Sequence, residues 1–161
     1  MSKIATCLWF NGEAEEAATL YTSLFPNSHI DSVNLAPADN PSSARGDVLT
    51  VDFTLDGERF VGLNGGPDFT FNEAVSFMIK CEDQAEVDRY WTALILGGGQ
   101  PSRCGWLKDK FGVSWQVIPR QMDEYLKSPD REAARRAFEA MLKMSKLDVE
   151  QLREAYEGVP A

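Results

Sequence analysis

The sequence has few side chains that form disulfides or bind transition metals. Its three cysteines, Cys7, Cys81 and Cys104, lie far apart, no C-x-x-C pair occurs, and His29 is the only histidine. An odd, scattered set of cysteines fits reduced thiols in a cytosolic protein better than a disulfide framework or a zinc site. We therefore expect three free thiols.

Long apolar runs are also missing. No run approaches the roughly 20 residues of a membrane span, and none resembles a signal peptide. The 25 acidic residues outnumber the 16 basic ones, which gives a formal net charge of -9. Such a surface repels phosphate backbones and anionic membranes, so we expect neither nucleic acid nor membrane as a partner. We expect a cytoplasmic protein.

What the chain does have is enough apolar residues (43%) for a core of single-domain size. Alternation and helical spacing predict a strand, a helix and three strands in the first half, and the same order in the second. The predicted elements are strands at 4–10, 30–35, 48–55, 59–63, 74–81, near Ser102 and within the hairpin 106–118, and helices at 13–25 and 82–96.

Helical segments are predicted after this second round. A helical turn is expected at 122–127, and a helix at 130–143 with Ser128 as its N-cap and Pro129 in the first helical position. A last helix is expected to begin at the capping residue Asp148 and to end at Gly158.

The two halves repeat each other. Segment 15–24 (EEAATLYTSL) aligns with 85–94 (AEVDRYWTAL) at an offset of 70, and extending this alignment backwards pairs Thr6 with Ser76. The hairpins at 51–63 and 106–118 align at an offset of 55. These matches predict an α+β fold built from two tandem βαβββ units, with C-terminal helices added.

The last strand of the second half separates into two faces. Alternation puts Ser114, Gln116 and Ile118 on one face, and the three apolar side chains Val113, Trp115 and Val117 on the other. The apolar face should pack on helices. The face with a hydroxyl and an amide is predicted to be the floor of a ligand pocket.

Four motifs, CLWFNGEAEEAATLYTSLFPNS, LNGGPDFTFNEAVSF, CEDQAEVDRYW and CGWLKDKFGVSWQVIP, resemble the PhnB-like branch of the vicinal oxygen chelate superfamily. That superfamily includes glyoxalase I, bleomycin-resistance proteins and extradiol dioxygenases, and the branch is often described as 3-demethylubiquinone-9 3-methyltransferase-like. The resemblance implies paired βαβββ modules within 1–120 (about 4–64 and 73–119) that form a glyoxalase-like cup around a ligand. It implies that 121–161 is a C-terminal helical extension of the same domain.

The resemblance also indicates where metal enzymes of the superfamily place their ligands. Those positions hold Thr6, Val61, Ser76 and Gln116, of which only Gln116 is a plausible ligand. Hard divalent metals prefer several carboxylate or imidazole donors. We therefore expect no metal and no cofactor, and we assign no catalytic residue.

The polar candidates for ligand binding each have a structural alternative. Gln116, Ser76 and Thr6 would hold a polar ligand by hydrogen bonds, or they satisfy each other or a buried water. Asn64, in the sequence Asn-Gly-Gly-Pro, would shape the rim of the cavity or belong to a plain linker.

Cysteine and tryptophan side chains supply the remaining candidates. Cys104 follows Arg103, whose charge would favour a nucleophilic thiolate, but the sequence favours the alternative of a small, partly buried residue at a strand edge. Trp106 would be an aromatic wall of the cavity or part of the core. We expect five residues to be structural and to face helices or the core: Cys7, Cys81, Trp9, Trp91 and Trp115.

These observations favour a metal-free protein that binds a small molecule in the cavity between its two modules, as resistance-type members of the superfamily do. The alternative is an enzyme of the same superfamily, a lyase, isomerase or transferase that uses Gln116, Cys104 or a metal brought by the substrate. The methyltransferase hypothesis rests on the family description alone, because Gly97–Gly99 follows a predicted helix, whereas phosphate-binding glycines follow a strand. Superfamily members commonly pair, so we expect a homodimer to which the C-terminal helices contribute.

Overall fold

The computed structural model describes residues 2–160 and shows an α+β chain. Within those residues the elements are β1 (Thr6–Phe10), α1 (Ala14–Leu24), β2 (His29–Leu35), β3 (Val48–Leu55), β4 (Glu58–Asn64), β5 (Ser76–Cys81), α2 (Gln84–Ile95), β6 (Gln100–Pro101), β7 (Trp106–Lys108), β8 (Ser114–Pro119), α3 (Arg120–Leu126), α4 (Arg131–Met141) and α5 (Val149–Glu157). They form two four-stranded mixed sheets, in each of which a helix connects the first strand to the other three, and the predicted fold class is confirmed. The chain divides into two compact units, with the boundary between Phe71 and Asn72.

The first unit holds the sheet with strand order β1-β4-β3-β2. β1 runs parallel to β4, and β3 lies antiparallel to both β4 and β2. Alternation along β3 buries Val51, Phe53 and Leu55, and the Phe53 ring lies 6.4 Å from that of Tyr21 on α1. Apolar residues therefore alternate with polar ones along this strand because a helix covers one face of the sheet.

The second unit repeats this arrangement with strand order β5-β8-β7-β6. β5 runs parallel to β8, and β7 is antiparallel to β8 and β6. α2 starts at the N-cap Asp83, whose carboxylate accepts a hydrogen bond from the backbone N–H of Glu86 at 2.9 Å. The core of this unit consists of apolar side chains from α2 and the sheet: Ile79, Cys81, Val87, Tyr90, Trp91, Leu94, Leu107, Trp115 and Val117.

A buried carboxylate holds the hairpin between β7 and β8. Asp109 is only 3% exposed. Its Oδ1 accepts hydrogen bonds from the backbone N–H groups of Phe111 (2.9 Å) and Val113 (3.0 Å), and its Oδ2 accepts one from Nε1 of Trp115 (2.9 Å). A buried carboxylate is tolerated when its oxygens are hydrogen-bonded in this way. Asp109 thus fixes the turn and the core tryptophan together.

The three C-terminal helices pack around a cluster of their own. Met122, Ala137, Leu147 and Leu152 are buried together, and Ile118 at the end of β8 packs against them. The segment between α4 and α5 is also tied to the turn before β7, because Met144 and Ser145 accept hydrogen bonds from the backbone N–H groups of residues 104 and 105. This extension is therefore joined to the second sheet by packing and by backbone hydrogen bonds.

The predicted N-cap of α4 is wrong. The N-cap is Asp130, whose carboxylate accepts a hydrogen bond from the backbone N–H of Ala133 at 3.0 Å, and not Ser128. The buried side of the helix consists of its alanines, while Phe138 and Leu142 are 42% and 48% exposed. The capping error arises because serine and aspartate are both good N-caps, so residue type alone did not decide between them.

No helix within residues 2–160 is both long and apolar enough to cross a membrane.

Candidate functional site

One face of the second sheet is turned away from α2, and we call it the open face. The side chains that the strand register puts on it include Ser76, Met78, Trp106, Lys108, Ser114 and Gln116. Met78 is 67% exposed, whereas its neighbours Ile79 and Phe77 turn towards the side of α2. The arrangement predicted for β8, with Ser114 and Gln116 opposite Trp115 and Val117, is the one observed.

A hydrogen bond joins two predicted ligand-binding residues at the centre of this face. Nε2 of Gln116 donates to Oγ of Ser76 at 2.9 Å, and both side chains are half-buried. Trp106 lies directly opposite Gln116 on the neighbouring strand. The Gln116 amide therefore has its nitrogen bound within the protein, and its carbonyl oxygen has no donor among the described residues.

A pocket of about 230 Å³ opens at the β6–β7 end of the open face. Eight residues line it: Glu73, Gln100, Pro101, Ser102, Trp106, Leu107, Lys108 and Ser114. At this pocket the ammonium group of Lys108 forms an ion pair with the carboxylate of Glu73. The hydrogen bond from Lys108 lowers the pKa of the Glu73 carboxyl.

Ser114 is the polar group of the pocket that the protein leaves unsatisfied. Its side chain is 1% exposed, and its Oγ is one of two buried side-chain polar atoms among the described residues without a hydrogen-bond partner. Buried hydroxyl groups normally have a partner in the protein or in ordered water. An unpaired hydroxyl in a pocket lining is a group that a ligand would satisfy.

The first sheet has an open face of different composition. Cys7 and Trp9 of β1 pair with Val61 and Leu63 of β4, on the side away from α1. The predictions that Cys7 faces the helix and that Trp9 belongs to the core are wrong, since Cys7 is exposed and Trp9 is half-buried. Burial of Trp91, Trp115 and Cys81 is as predicted, and desolvation raises the pKa of Cys81 to about 12.

Thr6 lies on the opposite face from the one expected. It shares the helix side of β1 with the buried residues Leu8 and Phe10, and it pairs with Phe60. The repeat alignment at an offset of 70 residues relates α1 to α2 correctly. Extended back to β1, it pairs Thr6 with Ser76 and so assigns Thr6 to the wrong face. Thr6 is therefore separated from the open face of its sheet.

Asn64 and Cys104 occupy structural positions. Oδ1 of Asn64 accepts a hydrogen bond from the first N–H of α1, that of Ala14, at 2.9 Å, and its Nδ2 donates to the carbonyl of Val48 at 2.9 Å. Cys104 has a positive φ of 58° in the turn before β7, and its N–H donates to the carbonyl of Met144 at 2.8 Å. Neither residue is among those that line the pocket.

The donor set of the open faces does not fit a hard divalent metal. Within residues 2–160, no group of three His, Cys, Asp or Glu side chains is placed to hold a metal ion. The open-face residues of β1 and β4 are Cys7, Trp9, Val61 and Leu63, and those of β5 and β8 include Ser76, Met78, Ser114 and Gln116. A thiol, hydroxyl groups and one amide lack the carboxylate and imidazole ligands that such metals prefer.

Sequence reasoning missed Glu73 and Lys108. Lys108 stands beside a polar turn and Glu73 in the segment that precedes β5, so neither belongs to a periodic pattern. Their ion pair joins residues 35 positions apart in sequence. The one signal was the position of Lys108 in the predicted strand. It lies two residues after Trp106 and therefore on the same face.

The two mixed sheets give the α+β fold that the resemblance to PhnB-like proteins implies. The model of the 3-demethylubiquinone-9 3-methyltransferase family matches residues 2–118, and the chain belongs to that family. The α3, α4 and α5 helices all lie beyond the matched residues.

Solved structures agree with this assignment. The PhnB protein from Bacillus cereus, whose name carries the same family description, is 36% identical, with a TM-score of 0.66 over 73% of this chain and 99% of that chain. A Pseudomonas aeruginosa protein (21% identity, TM-score 0.58, 74% and 98% coverage) shares the fold. So does the fosfomycin resistance protein FosX from Listeria monocytogenes in complex with Mn(II) and sulfate (17% identity, TM-score 0.50, 78% and 98% coverage). No curated protein matches the chain.

Proposed function

We propose that this protein binds a small molecule on the open face of its second sheet and needs no resident metal to do so. The observation that carries the proposal is the Gln116–Ser76 hydrogen bond at the centre of that face, which lies beside Trp106 and the pocket. An amide offers a ligand both donors and an acceptor, and an aromatic ring offers apolar contact area. Few convergent polar groups among apolar walls are typical of small-molecule sites.

The chemistry of the open face supports binding more than catalysis. Its charged groups at the pocket, Lys108 and Glu73, neutralise each other, and the other polar groups are an amide and hydroxyl groups. None of these is a histidine or a carboxyl with a raised pKa, the usual general acids and bases. The methyltransferase description of the family finds no support in Gly97–Gly99, because these glycines follow α2 and lead into β6.

The test is a fragment screen by ligand-observed NMR, followed by titration of the hits into parent protein and Gln116→Ala. We expect Gln116→Ala to weaken binding about 5- to 100-fold, because a buried polar group left unpaired costs roughly 1–3 kcal/mol. Treatment with EDTA should leave the affinity of the parent unchanged.

Gln151→Ala is the matched control, since Gln151 is an exposed glutamine on α5 and should bind hits like the parent. Hits that bind Gln116→Ala and the parent equally well would contradict the proposed site. A hit that requires one bound Ni, Zn, Fe or Mn per chain would contradict the metal-free part.

We also propose that the chain forms a homodimer in the cytoplasm, with α4 in the interface. Support comes from Phe138 and Leu142, two large apolar side chains that α4 exposes to solvent. Sedimentation at micromolar concentration should give twice the mass of one chain, and Leu142→Glu should weaken association about tenfold or more. Leu96→Glu, a change at a leucine after α2 that is even more exposed (72% against 48%), is the control. A monomeric mass for the parent would refute the dimer.

A further inference from the structure

We propose that the pocket on the second sheet takes a small zwitterion, a molecule that carries one carboxylate and one ammonium group. The inference rests on the proposed function and names the class of ligand. It is drawn from the Lys108–Glu73 ion pair, the unsatisfied hydroxyl of Ser114 and the indole of Trp106, all of which line one pocket.

The ion pair selects the charge of the ligand. Lys108 and Glu73 satisfy each other in the free protein, so a ligand with a single charge that binds one of them leaves the other without its partner. Lys108 and Glu73 are 37% and 60% exposed, so water compensates part of this loss, and the resulting preference for a ligand with both charges is a few-fold. A zwitterion replaces both partners at once, with its carboxylate on Lys108 and its ammonium group on Glu73.

The strand register gives the carboxylate a second donor. Lys108 lies directly opposite Ser114 on β8 and directly opposite Gln100 on β6, so the three side chains form a row on one face. Residues opposite each other in antiparallel strands have Cβ atoms about 5 Å apart. Lys108 and Ser114 both line the pocket, and a carboxylate bound there would provide the acceptor that Ser114 lacks.

The remaining lining limits the size and nature of the rest of the ligand. Trp106 and Pro101 provide apolar surface beside the charged row. The pocket volume of about 230 Å³ is below the ~300–1,000 Å³ typical of pockets that bind drug-sized ligands. An aliphatic amino acid combines the two charges with a short apolar side chain of suitable size.

The net charge of the protein favours the same class. At -9 the chain repels anions at long range, so a simple carboxylate approaches against the field of the whole molecule. A zwitterion has no net charge and avoids this repulsion. The Lys108–Glu73 pair thus recognises the two opposite charges of the ligand, while the ligand as a whole is neither attracted nor repelled by the net charge of the protein.

The experiment compares L-leucine with two analogues that each lack one of its charged groups. 4-Methylpentanoate lacks the ammonium group and 3-methylbutylamine lacks the carboxylate. Titrations at pH 7, followed by 1H–15N NMR of the full chain, should show L-leucine binding about two- to fivefold tighter than either analogue, with shifts at Lys108, Ser114 and the Trp106 indole.

Substitutions of Glu73 or Lys108 should shift the ligand preference from L-leucine towards one of the two singly charged analogues. Glu73→Gln should weaken the binding of L-leucine about two- to fivefold and strengthen that of 4-methylpentanoate, because Lys108 loses its internal partner. Lys108→Met should weaken L-leucine and strengthen 3-methylbutylamine. Lys146→Gln, which breaks the exposed Lys146–Asp88 pair (2.7 Å) of the same unit, should change none of these affinities.

The outcomes separate this inference from the proposed function. An analogue that binds as tightly as L-leucine, or no binding by any of the three, overturns the zwitterion class. If fragment hits still lose affinity in Gln116→Ala, the proposed function stands without it. If those hits are also insensitive to Gln116→Ala, both are wrong.

Discussion

Replacing Asp109 with alanine should lower the free energy of unfolding by about 3–5 kcal/mol, because three donors lose their acceptor at once. These donors are the backbone N–H groups of Phe111 and Val113 and Nε1 of Trp115, at 2.9, 3.0 and 2.9 Å from the carboxylate. Each buried donor left unsatisfied costs roughly 1–3 kcal/mol. Urea denaturation followed by tryptophan fluorescence would measure the change.

Two further variants isolate the cause. Trp115→Phe removes one donor and keeps most of the ring, so it should cost about 1–3 kcal/mol. Asp68→Ala, at an exposed aspartate, should stay within about 0.5 kcal/mol of the parent. A loss below about 1 kcal/mol in Asp109→Ala would mean that water replaces the carboxylate and that the hairpin does not depend on it.

Gly105→Ala should also be strongly destabilising, by about 2–5 kcal/mol. A Cβ at this position would lie 2.9 Å from the carbonyl oxygen of Val117 and 3.0 Å from Cδ1 of Ile118, at a φ of +83°. The left-handed conformation costs a residue with a Cβ roughly 1–2 kcal/mol, and overpacking adds about 1–3 kcal/mol. The same turn contributes backbone hydrogen bonds to Ser145 (2.8 Å) and from Val117 (2.7 Å), which the shift would strain.

Gly46→Ala separates the two contributions. Gly46 has a similar φ of +93°, but a Cβ there would meet nothing within 4 Å. The Gly46→Ala variant should therefore lose only the conformational contribution to the free energy of unfolding, roughly 1–2 kcal/mol. Equal losses in the two variants, measured by urea denaturation, would show that the turn at Gly105 moves to accept the added carbon.

Periodicity predicted most of the fold because each sheet has one face under a helix. β3 was predicted with its exact bounds, and the two faces of β8 were assigned correctly, since burial imposes a period of two on such strands. β1 shows where this fails. Its face was taken from a repeat alignment through the helices, and an error of one residue in a strand moves every side chain to the other side, as happened for Thr6 and Cys7.

The site was less predictable than the fold because its contacts join segments without periodic patterns. Gln116 and Ser76 were found from their positions on predicted strands. The Lys108–Glu73 pair could not be, since nothing local indicates that residues 73 and 108 meet. Asp109 was hidden for a similar reason: an aspartate in a polar turn is normally exposed, and only the folded hairpin buries it.

The hydrogen bonds of Asn64 have a consequence for the order of folding. The first turn of α1 obtains its side-chain acceptor from a residue 50 positions further along the chain, and the same amide also binds Val48 on β3. Closure of such a long loop carries an entropic cost that must be met before the contact forms. The start of α1 should therefore become stable only after β3 and β4 have assembled. In stopped-flow experiments Asn64→Ala should speed unfolding and leave the refolding rate nearly unchanged, the behaviour of a contact absent from the transition state.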